Sequence, residues 1–276
     1  MQKKNKIKFY PAAMTVSGSD SGGTSGIAAD LRTFNAFGVF GSCAITAVSA
    51  QNPYFIRHTD VTAPRSLAAQ IETVREKIHF EYMKTGFFGS AENISAVVQA
   101  VKKHAFSLVC APELFTADGK KTADEKNIPL MESELFVLAQ WLVADMAETE
   151  LLCQNKCTNE EEMVQNAKTL SEKYHCSVII CGEEKFDDII VKDGKCYSAY
   201  VTEDFTPLPL AGAKSTYAAA LTAMLALDFP WKQAVCSAKA FVFGSLCQSV
   251  EAGPGCSVMY PPAEDYSHLV KLAEAE

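Results

Sequence analysis

Short apolar segments alternate with longer amphipathic stretches along most of the chain. Residues 12–16 and 43–49 have the composition of buried strands, and helical periodicity follows each of them over 26–37 and 66–78. The same alternation predicts strands over 82–84, 107–110, 136–142 and 177–181, and helices over 91–103, 148–153 and 160–173. Strand and helix units of this length predict an α/β fold in which helices cover a mostly parallel sheet.

The pattern changes after residue 181. Two apolar segments, 188–191 and 196–201, flank Asp193-Gly194, a dipeptide that is typical of hairpin turns. The sheet is therefore predicted to end in antiparallel strands at one edge. Two Ala-rich, largely buried helices are expected over 216–227 and 231–249, before a polar tail that starts at Pro261. No repeat or linker interrupts the chain, so a single domain over 1–276 is expected.

Composition narrows the class of partner. Of the 276 residues, 48% are hydrophobic, which is enough for a sizeable core, and the formal net charge is -8. Scattered Lys and Arg residues on an acidic chain argue against a nucleic-acid partner, because phosphate binding needs a dense cationic face. Small-molecule partners are favoured instead. The chain has no apolar run of the length that a membrane span requires, so no membrane association is expected.

The cysteines and the N-terminus indicate a compartment. Ten cysteines are spread along the chain, several of them inside apolar runs, and they are expected to be buried free thiols in a reducing cytoplasm. A zinc site formed by Cys153, Cys157 and His175-Cys176 is disfavoured, because its spacing is atypical. The apolar stretch after the basic N-terminus is cut short at 17–20, so it is not a signal peptide and a cytoplasmic location is expected.

A glycine-rich loop over 17–26 follows the first predicted strand and opens the first predicted helix. Gly18, Gly22 and Gly26 allow close backbone approach, and Asp20 with the free amides of the helix start can hold a polar ligand. The glycine spacing is not that of a dinucleotide-binding fingerprint. A simple helix-capping loop is an equal alternative for these residues.

Four segments carry a resemblance to a known family. They are GSDSGG at 18–23, IAADLRTF at 27–34, ITAVSAQN at 45–52 and KTGFFGS at 84–90. Together they resemble the hydroxymethylpyrimidine/phosphomethylpyrimidine kinases of thiamine biosynthesis, and the resemblance weakens beyond about residue 105. It implies a ribokinase-like three-layer α/β/α fold and a homodimer. It also implies transfer of the terminal phosphoryl group of MgATP to a pyrimidine, or to a pyridoxine-like ring in related members.

The resemblance assigns the ring-binding residues. In the family, the Asp of the first motif and the Gln of the third contact the pyrimidine, and these match Asp20 and Gln51, with Gly18 at the start of the same loop. An Asp and a Gln supply the acceptors and donors that an aminopyrimidine edge requires. Phe87 replaces a family Met and is expected to lie against a flat ring, although an ordinary core aromatic is an equal alternative.

The segments that the family uses for phosphoryl transfer depart from its pattern. Ala111, or Cys110 in an ungapped register, stands where the family has an Asp, and Ala117-Asp118-Gly119 replaces Lys-Ser-Gly, with Lys120 and Lys121 nearby. Cys181-Gly182-Glu183 replaces Lys-Gly-Gly, so a further cation is absent. Phosphoryl transfer depends on positioned cations and backbone donors, so these losses predict a weakened reaction.

One acidic pair of the transfer machinery survives in altered form. The family motif Asn-x-x-Glu, which helps to hold Mg²⁺, aligns with Asp145 and Glu148. Residues three apart share a helix face, and carboxylate oxygens suit Mg²⁺. The resemblance therefore assigns this pair as metal ligands. The equal alternative is that both acids only complement the dipole of a helix N-terminus.

The segment 211–216 aligns with the family sequence Gly-Thr-Gly-Cys-Thr at the start of a long helix. The resemblance implies that the amides of Gly212, Ala213 and Lys214 form an anion hole for the ATP phosphoryl group. Lys214 replaces the second glycine, and Ser215 replaces the cysteine that acts as catalytic base. A serine ionises far less readily than a cysteine. Lys214 is a candidate to supply charge to a phosphate, although the segment is not a Walker motif.

Two hypotheses follow from the sequence. The first is a binding protein that keeps a hydroxymethylpyrimidine-type pocket and in which ATP phosphoryl transfer is weak or lost. The alternative is an active MgATP-dependent hydroxymethylpyrimidine/phosphomethylpyrimidine or pyridoxine-type kinase that uses Lys214, Ser215 and Mg²⁺ on Asp145 and Glu148. The first is favoured, because several transfer residues are replaced together.

Overall fold

The computed structural model describes residues 10–116, 119, 121–122, 126–182, 187–203 and 210–275. Ten of its strands form a single sheet, in the order β12-β9-β8-β7-β6-β5-β4-β1-β2-β3. They are β1 (Ala12–Asp20), β2 (Phe40–Asn52), β3 (Phe55–Val61), β4 (Tyr82–Thr85), β5 (Ser107–Cys110), β6 (Ala139–Asp145), β7 (Ser177–Cys181), β8 (Asp188–Lys192), β9 (Lys195–Val201) and β12 (Val270–Glu274). A separate hairpin consists of β10 (Val250–Gly253) and β11 (Cys256–Val258).

The centre of the sheet is parallel and both edges are antiparallel. The pairs between β2, β1, β4, β5, β6 and β7 are all parallel. At one edge β8, β9 and β12 pair antiparallel, and at the other β3 runs antiparallel to β2. Because parallel strands end at the same edge of a sheet, the loops after β1, β4, β5 and β6 meet on one side of the molecule, where ligands bind in open α/β sheets.

Helices cover both faces of the sheet. They are α1 (Gly26–Ala36), α2 (Pro64–Arg75), α3 (Ala91–His104), α4 (Asn127–Leu130), α5 (Met146–Cys153), α6 (Glu160–Tyr174), α7 (Ala213–Ala226) and α8 (Trp231–Cys247). A π-helical turn, Met131–Leu135, and a 3₁₀ turn, Phe136–Leu138, continue α4 into β6, and a second 3₁₀ turn, Ser267–Leu269, precedes β12.

Strand alternation divides the core into layers. In β7, Val178 and Ile180 belong to the same buried core as residues of α3 and α6, whereas Ile179 belongs to the core that contains residues of α7 and α8 on the opposite face. Phe34 of α1 packs with α7 as well. Successive side chains of a strand point to opposite faces, so a central strand that is buried on both sides reads as a continuous apolar run. The result is a three-layer α/β/α arrangement.

The fold class predicted from the sequence is confirmed, and several boundaries change. The strand predicted over 136–142 starts at Ala139, because residues 136–138 form the 3₁₀ turn. The tail after Pro261 is not wholly irregular, because β12 pairs with β9 there. Strand β3 was not predicted. A single domain stays a prediction, supported by one sheet that holds strands from both ends of the chain. Among the described residues, no helix is long and apolar enough to cross a membrane.

Candidate functional site

The carboxylate of Asp20 organises the glycine-rich loop between β1 and α1. Its Oδ1 accepts a hydrogen bond from the Gly22 amide at 2.7 Å. Its Oδ2 accepts from the amides and the hydroxyls of Thr24 and Ser25 at 3.0–3.1 Å. Asp20 is 6% exposed, so the carboxylate is directed into its own loop. It therefore fixes the loop in one conformation, although it does not cap α1, whose N-cap is Ser25.

Two glycines let backbone segments meet at this loop. Gly26 has φ +56°, and a Cβ there would lie 2.2 Å from the carbonyl oxygen of Gly18. Gly212, the N-cap of α7, has φ +91°, and a Cβ there would lie 2.0 Å from the carbonyl oxygen of Thr24. Only glycine fits at such an approach with a positive φ. The start of α7 is thus pressed directly against the glycine-rich loop.

The predicted ring-binding residues surround the ends of β1 and β2. The ring of Phe87 lies against Gly18, because a Cβ on Gly18 would be 3.2 Å from a ring carbon. Gln51 exchanges two hydrogen bonds with the Ser21 hydroxyl at 2.8 and 2.9 Å. Both bonds are made by backbone atoms of Gln51, and neither involves its side-chain amide. A Cβ on Gly22 would lie 3.1 Å from both Asp20 Oδ1 and the Gln51 carbonyl oxygen. The structure therefore brings Gly18, Asp20, Gln51 and Phe87 together.

A buried charged cluster lies beneath the loop. The Lys84 ammonium donates to both Asp30 oxygens at 2.9 and 3.0 Å and to the Ser215 hydroxyl at 2.8 Å. Ser215 in turn donates to Asp30 Oδ1 at 3.2 Å, and Thr15 donates to Asp30 Oδ2 at 2.5 Å. Lys84 and Asp30 are fully buried, and Ser215 is 1% exposed. The candidate catalytic hydroxyl of Ser215 is thus part of an internal network.

Asp145 and Glu148 form a capping box at the start of α5. Asp145 Oδ1 accepts from the Glu148 amide at 2.8 Å, and Glu148 Oε2 accepts from the Asp145 amide at 3.3 Å. Glu148 Oε1 also accepts from the Leu114 amide at 2.8 Å. The ammonium of Lys214 contacts Glu148 Oε1 and lies 3.3 Å from Asp145 Oδ2. The two candidate metal ligands therefore hold an internal cation, an arrangement that the sequence did not predict.

Burial and charge act against each other in this group. Burial raises the pKa of Glu148 to about 7, although the Lys214 ammonium opposes the rise. Burial alone would lower the pKa of Lys214, but the carboxylates of Glu148, Glu113 and Asp145 outweigh it and raise that pKa above its usual value. Lys214 therefore remains an ammonium at neutral pH.

Glu113 is a further candidate that the sequence did not identify. It has φ +48°, and its Oε1 is buried without a hydrogen-bond partner in the described part of the chain. With Phe87 and Pro112 it lines a narrow cleft of about 10 Å³, enough for about one water molecule. No local sequence pattern identifies Glu113 as a site residue, because its position at the cleft depends on its left-handed backbone conformation after β5.

The remaining candidate positions lie at the ends of β5 and β7, on either side of β6, or outside the described residues, and Cys181 is the register partner of Asp145. Cys110 and Ala111 are buried at the end of β5, and the Ala111 amide donates to the Thr85 carbonyl. Burial raises the pKa of Cys181 well above its usual value, so it is not a thiolate. Ala117, Asp118, Lys120 and Glu183 lie outside the described residues. Within the described ranges, no group of three or more His, Cys, Asp or Glu side chains is placed to hold a metal ion.

A family model decides the family of the chain. The model described as phosphomethylpyrimidine kinase matches residues 20–259, which is most of the chain. The chain belongs to this family. Among curated members of the phosphomethylpyrimidine kinase family, the hydroxymethylpyrimidine/phosphomethylpyrimidine kinase of Haemophilus influenzae is 31% identical over 88% of this chain and 93% of its own length. The enzyme of the same name from Synechococcus elongatus is 30% identical over 89% of this chain and 95% of its own length.

Solved structures agree with the fold. A phosphomethylpyrimidine kinase from Clostridium difficile superposes with a TM-score of 0.75 at 26% identity, covering 84% of this chain and 97% of that one. A pyridoxal kinase from Staphylococcus aureus in complex with ADP superposes with a TM-score of 0.85 at 26% identity, covering 97% of this chain and 100% of that one. The ribokinase-like fold is thus shared with members that carry both names.

Proposed function

We propose that the protein binds a hydroxymethylpyrimidine-type ring and that its ATP phosphoryl transfer is weak or lost. Ring binding is supported by the grouping of Gly18, Gln51 and Phe87 beside a loop that Asp20 holds rigid. A flat aromatic face and a side-chain amide are the groups that an aminopyrimidine needs for stacking and for hydrogen bonding. A pyridoxine-like ring offers a similar flat shape, in keeping with the relatives of both names.

The observation that carries the proposal of weak transfer is the burial and hydrogen bonding of the Ser215 hydroxyl. Its hydroxyl accepts from Lys84 and donates to Asp30, and it is almost wholly buried. A base that activates a substrate hydroxyl must reach that hydroxyl within about 3 Å. Loss of one positioned group in such a site typically costs about 10²–10³ in rate. Ser215 in this network is therefore a poor substitute for a reactive thiol.

The second candidate function is an active MgATP-dependent kinase. It is favoured by Gly212, which keeps the left-handed conformation at the start of α7 and, as a glycine, has no side chain to cap the first amides. The amides at the start of a helix can bind a phosphoryl group. The curated relatives named as kinases add support, since they match nearly the whole chain.

The first test measures ring binding and turnover separately. Hydroxymethylpyrimidine is titrated into the protein by calorimetry, with no nucleotide present. We expect Gln51→Ala to weaken binding about tenfold, the effect of one lost hydrogen bond of about 1.4 kcal/mol. Gln165→Ala, which changes an exposed glutamine on α6, is the matched control and should leave binding unchanged.

Turnover is then followed by mass spectrometry after incubation with MgATP and the ring or its monophosphate. The proposal expects ring binding with little or no phosphorylated product. Product at a catalytic rate would support the active kinase and contradict the proposed loss of transfer. A folded protein that neither binds nor phosphorylates these rings would overturn both candidates.

The protein is further proposed to be a cytoplasmic homodimer. All ten cysteines are free thiols, four buried and six partly buried, which suits a reducing compartment. The edge strand β3 leaves its outer backbone groups for pairing, and Val48 of β2 and Ile56 of β3 are exposed near this edge at 53% and 42%. Phe55, Ile56 and Val61 are exposed apolar residues of this strand beside polar residues 57–60, and an exposed edge of this kind can pair with a second copy of the chain.

Light scattering after size exclusion tests the dimer. We expect a mass of twice 30.0 kDa for the wild type and a shift to the monomer mass for Ile56→Asp, because a charge would be buried at the interface. Val137→Asp changes another exposed apolar residue, in the 3₁₀ turn before β6, and should remain dimeric. A monomeric wild type would refute this proposal.

A further inference from the structure

The position of the Lys214 ammonium is set by two rigid elements. Lys214 is the second residue of α7, whose start is fixed against the glycine-rich loop at Gly212. Asp145 ends β6 and caps α5, and Glu148 closes the capping box. The Lys214 side chain is 12% exposed and that of Glu148 is 0% exposed. The ammonium is therefore held between the two carboxylates in a largely dry environment.

Both oxygens of Glu148 already have partners. Oε1 accepts from the Leu114 amide and contacts Lys214, and Oε2 accepts from the Asp145 amide. Of the Asp145 oxygens, Oδ1 is used by the Glu148 amide and Oδ2 lies 3.3 Å from Lys214. Mg²⁺ needs oxygen ligands at about 2.0–2.1 Å in octahedral geometry. The pair as arranged does not fit Mg²⁺, because the ion would displace these bonds and face the ammonium across a few ångströms.

The balance of charge in this group also argues against a metal ion at the Asp145–Glu148 pair. Glu148 would need a cation if it were ionised, since a fully buried carboxylate is stable only when it is paired, whereas the Asp145 side chain is 35% exposed. Lys214 supplies that cation from within the chain. Glu113 adds a third carboxylate near enough to influence Lys214. A divalent ion is therefore not needed to hold this group together.

We propose that Lys214 is a covalently tethered replacement for a divalent cation, and that the Asp145–Glu148 pair binds no metal ion in this protein. The ammonium takes the position that the aligned acidic motif offers to Mg²⁺. A phosphate-bearing ligand that reached the start of α7 would meet an ammonium at this place. The inference concerns the pair itself and holds whichever ring the protein binds.

Mn²⁺ is the probe that tests the proposal, because its EPR signal changes on binding. Titration of the wild type should show no Mn²⁺ site that depends on Glu148. Lys214→Ala should gain one bound Mn²⁺ per chain, and the double variant Lys214→Ala/Glu148→Gln should lose it again. Lys239→Ala is the matched control, since its ammonium lies 3.0 Å from the single buried carboxylate of Asp188. It should gain no site.

Thermal unfolding supplies a second readout. Lys214→Ala should melt below the wild type in the absence of metal and recover part of the difference with Mn²⁺ or Mg²⁺, whereas the wild type and Lys239→Ala should not respond. If Lys214→Ala does not fold, Lys214→Gln, which keeps most of the side-chain length without the charge, takes its place. A wild-type Mn²⁺ site that Glu148→Gln removes would overturn the proposal. A folded Lys214 variant that gains neither a site nor metal-dependent stability would do so as well.

Discussion

Lys84→Met is expected to lower the free energy of unfolding by about 3–5 kcal/mol, the usual cost of leaving one buried charge without its partner. Lys84 donates to Asp30 at 2.9 and 3.0 Å, and both side chains are fully buried. Methionine fills much of the same volume but supplies no charge. The Asp30 carboxylate would then remain in the core with only Thr15 and Ser215 as donors.

The sign of the pH dependence follows from Asp30. Burial raises its pKa above the usual value, and Lys84 opposes that rise. Without Lys84 the pKa rises further. A carboxyl group with a raised folded-state pKa stabilises the fold below its unfolded pKa and loses that contribution as the pH rises through the folded pKa. The deficit of Lys84→Met should therefore shrink as the pH falls toward about 4, the ordinary pKa of an aspartate, because Asp30 in the folded variant takes up its proton above that pH.

Urea denaturation followed by circular dichroism measures these differences. Lys103→Met is the matched control, because Lys103 bonds the Glu72 carboxylate at 2.7 Å in an exposed pair. Its loss should cost less than about 1 kcal/mol. Lys84→Met/Asp30→Asn should recover part of the lost stability, since no buried charge remains. A Lys84→Met variant as stable as Lys103→Met would contradict the assignment of a dry, paired cluster.

Gly212→Ala is expected to cost about 2–5 kcal/mol. Forcing a non-glycine residue into the left-handed region costs about 1–2 kcal/mol. The methyl group adds about 1–3 kcal/mol for displaced backbone, because it would lie 2.0 Å from the Thr24 carbonyl oxygen. The start of α7 would have to move away from the glycine-rich loop. We therefore also expect weaker ring binding, measured by the same calorimetric titration.

Gly38→Ala separates the two contributions to this loss. Gly38 has φ +72°, and a Cβ there meets nothing within 4 Å. Its substitution should show the conformational cost alone, about 1–2 kcal/mol, and leave ring binding unchanged. If urea denaturation gave equal losses of unfolding free energy for the two variants, the close approach of Gly212 to Thr24 would not contribute to the loss.

The central sheet could be predicted from the sequence because its strands are buried on both faces. Val178, Ile179 and Ile180 form an unbroken apolar run, and such runs between amphipathic helices are typical of parallel sheets. Strand β3 has no such signal. Its residues Phe55–Val61 are mostly exposed, and its conformation depends on pairing with β2. Strand β12 likewise takes its conformation from β9.

The candidate site was predictable only where its residues are close in sequence. The loop with Gly18 and Asp20 has local features, several glycines and a carboxylate, that identify a strand-to-helix turn. The spacing of Asp145 and Glu148 likewise allowed either a metal pair or a helix start, and the structure shows a capping box. The spacing of these two residues did not show which third group the pair contacts.

The layered α/β fold, the loop that opens α1 and the acidic pair at the start of α5 could all be predicted from the order of the amino acids. The contacts of Lys214 with Glu148, 66 residues away, and of Lys84 with Ser215, 131 residues away, could not, because they form only when the chain is folded. Hydrophobic periodicity specifies which face of an element is buried, whereas a contact between distant charged side chains depends on how α7 lies across the ends of β4 and β6.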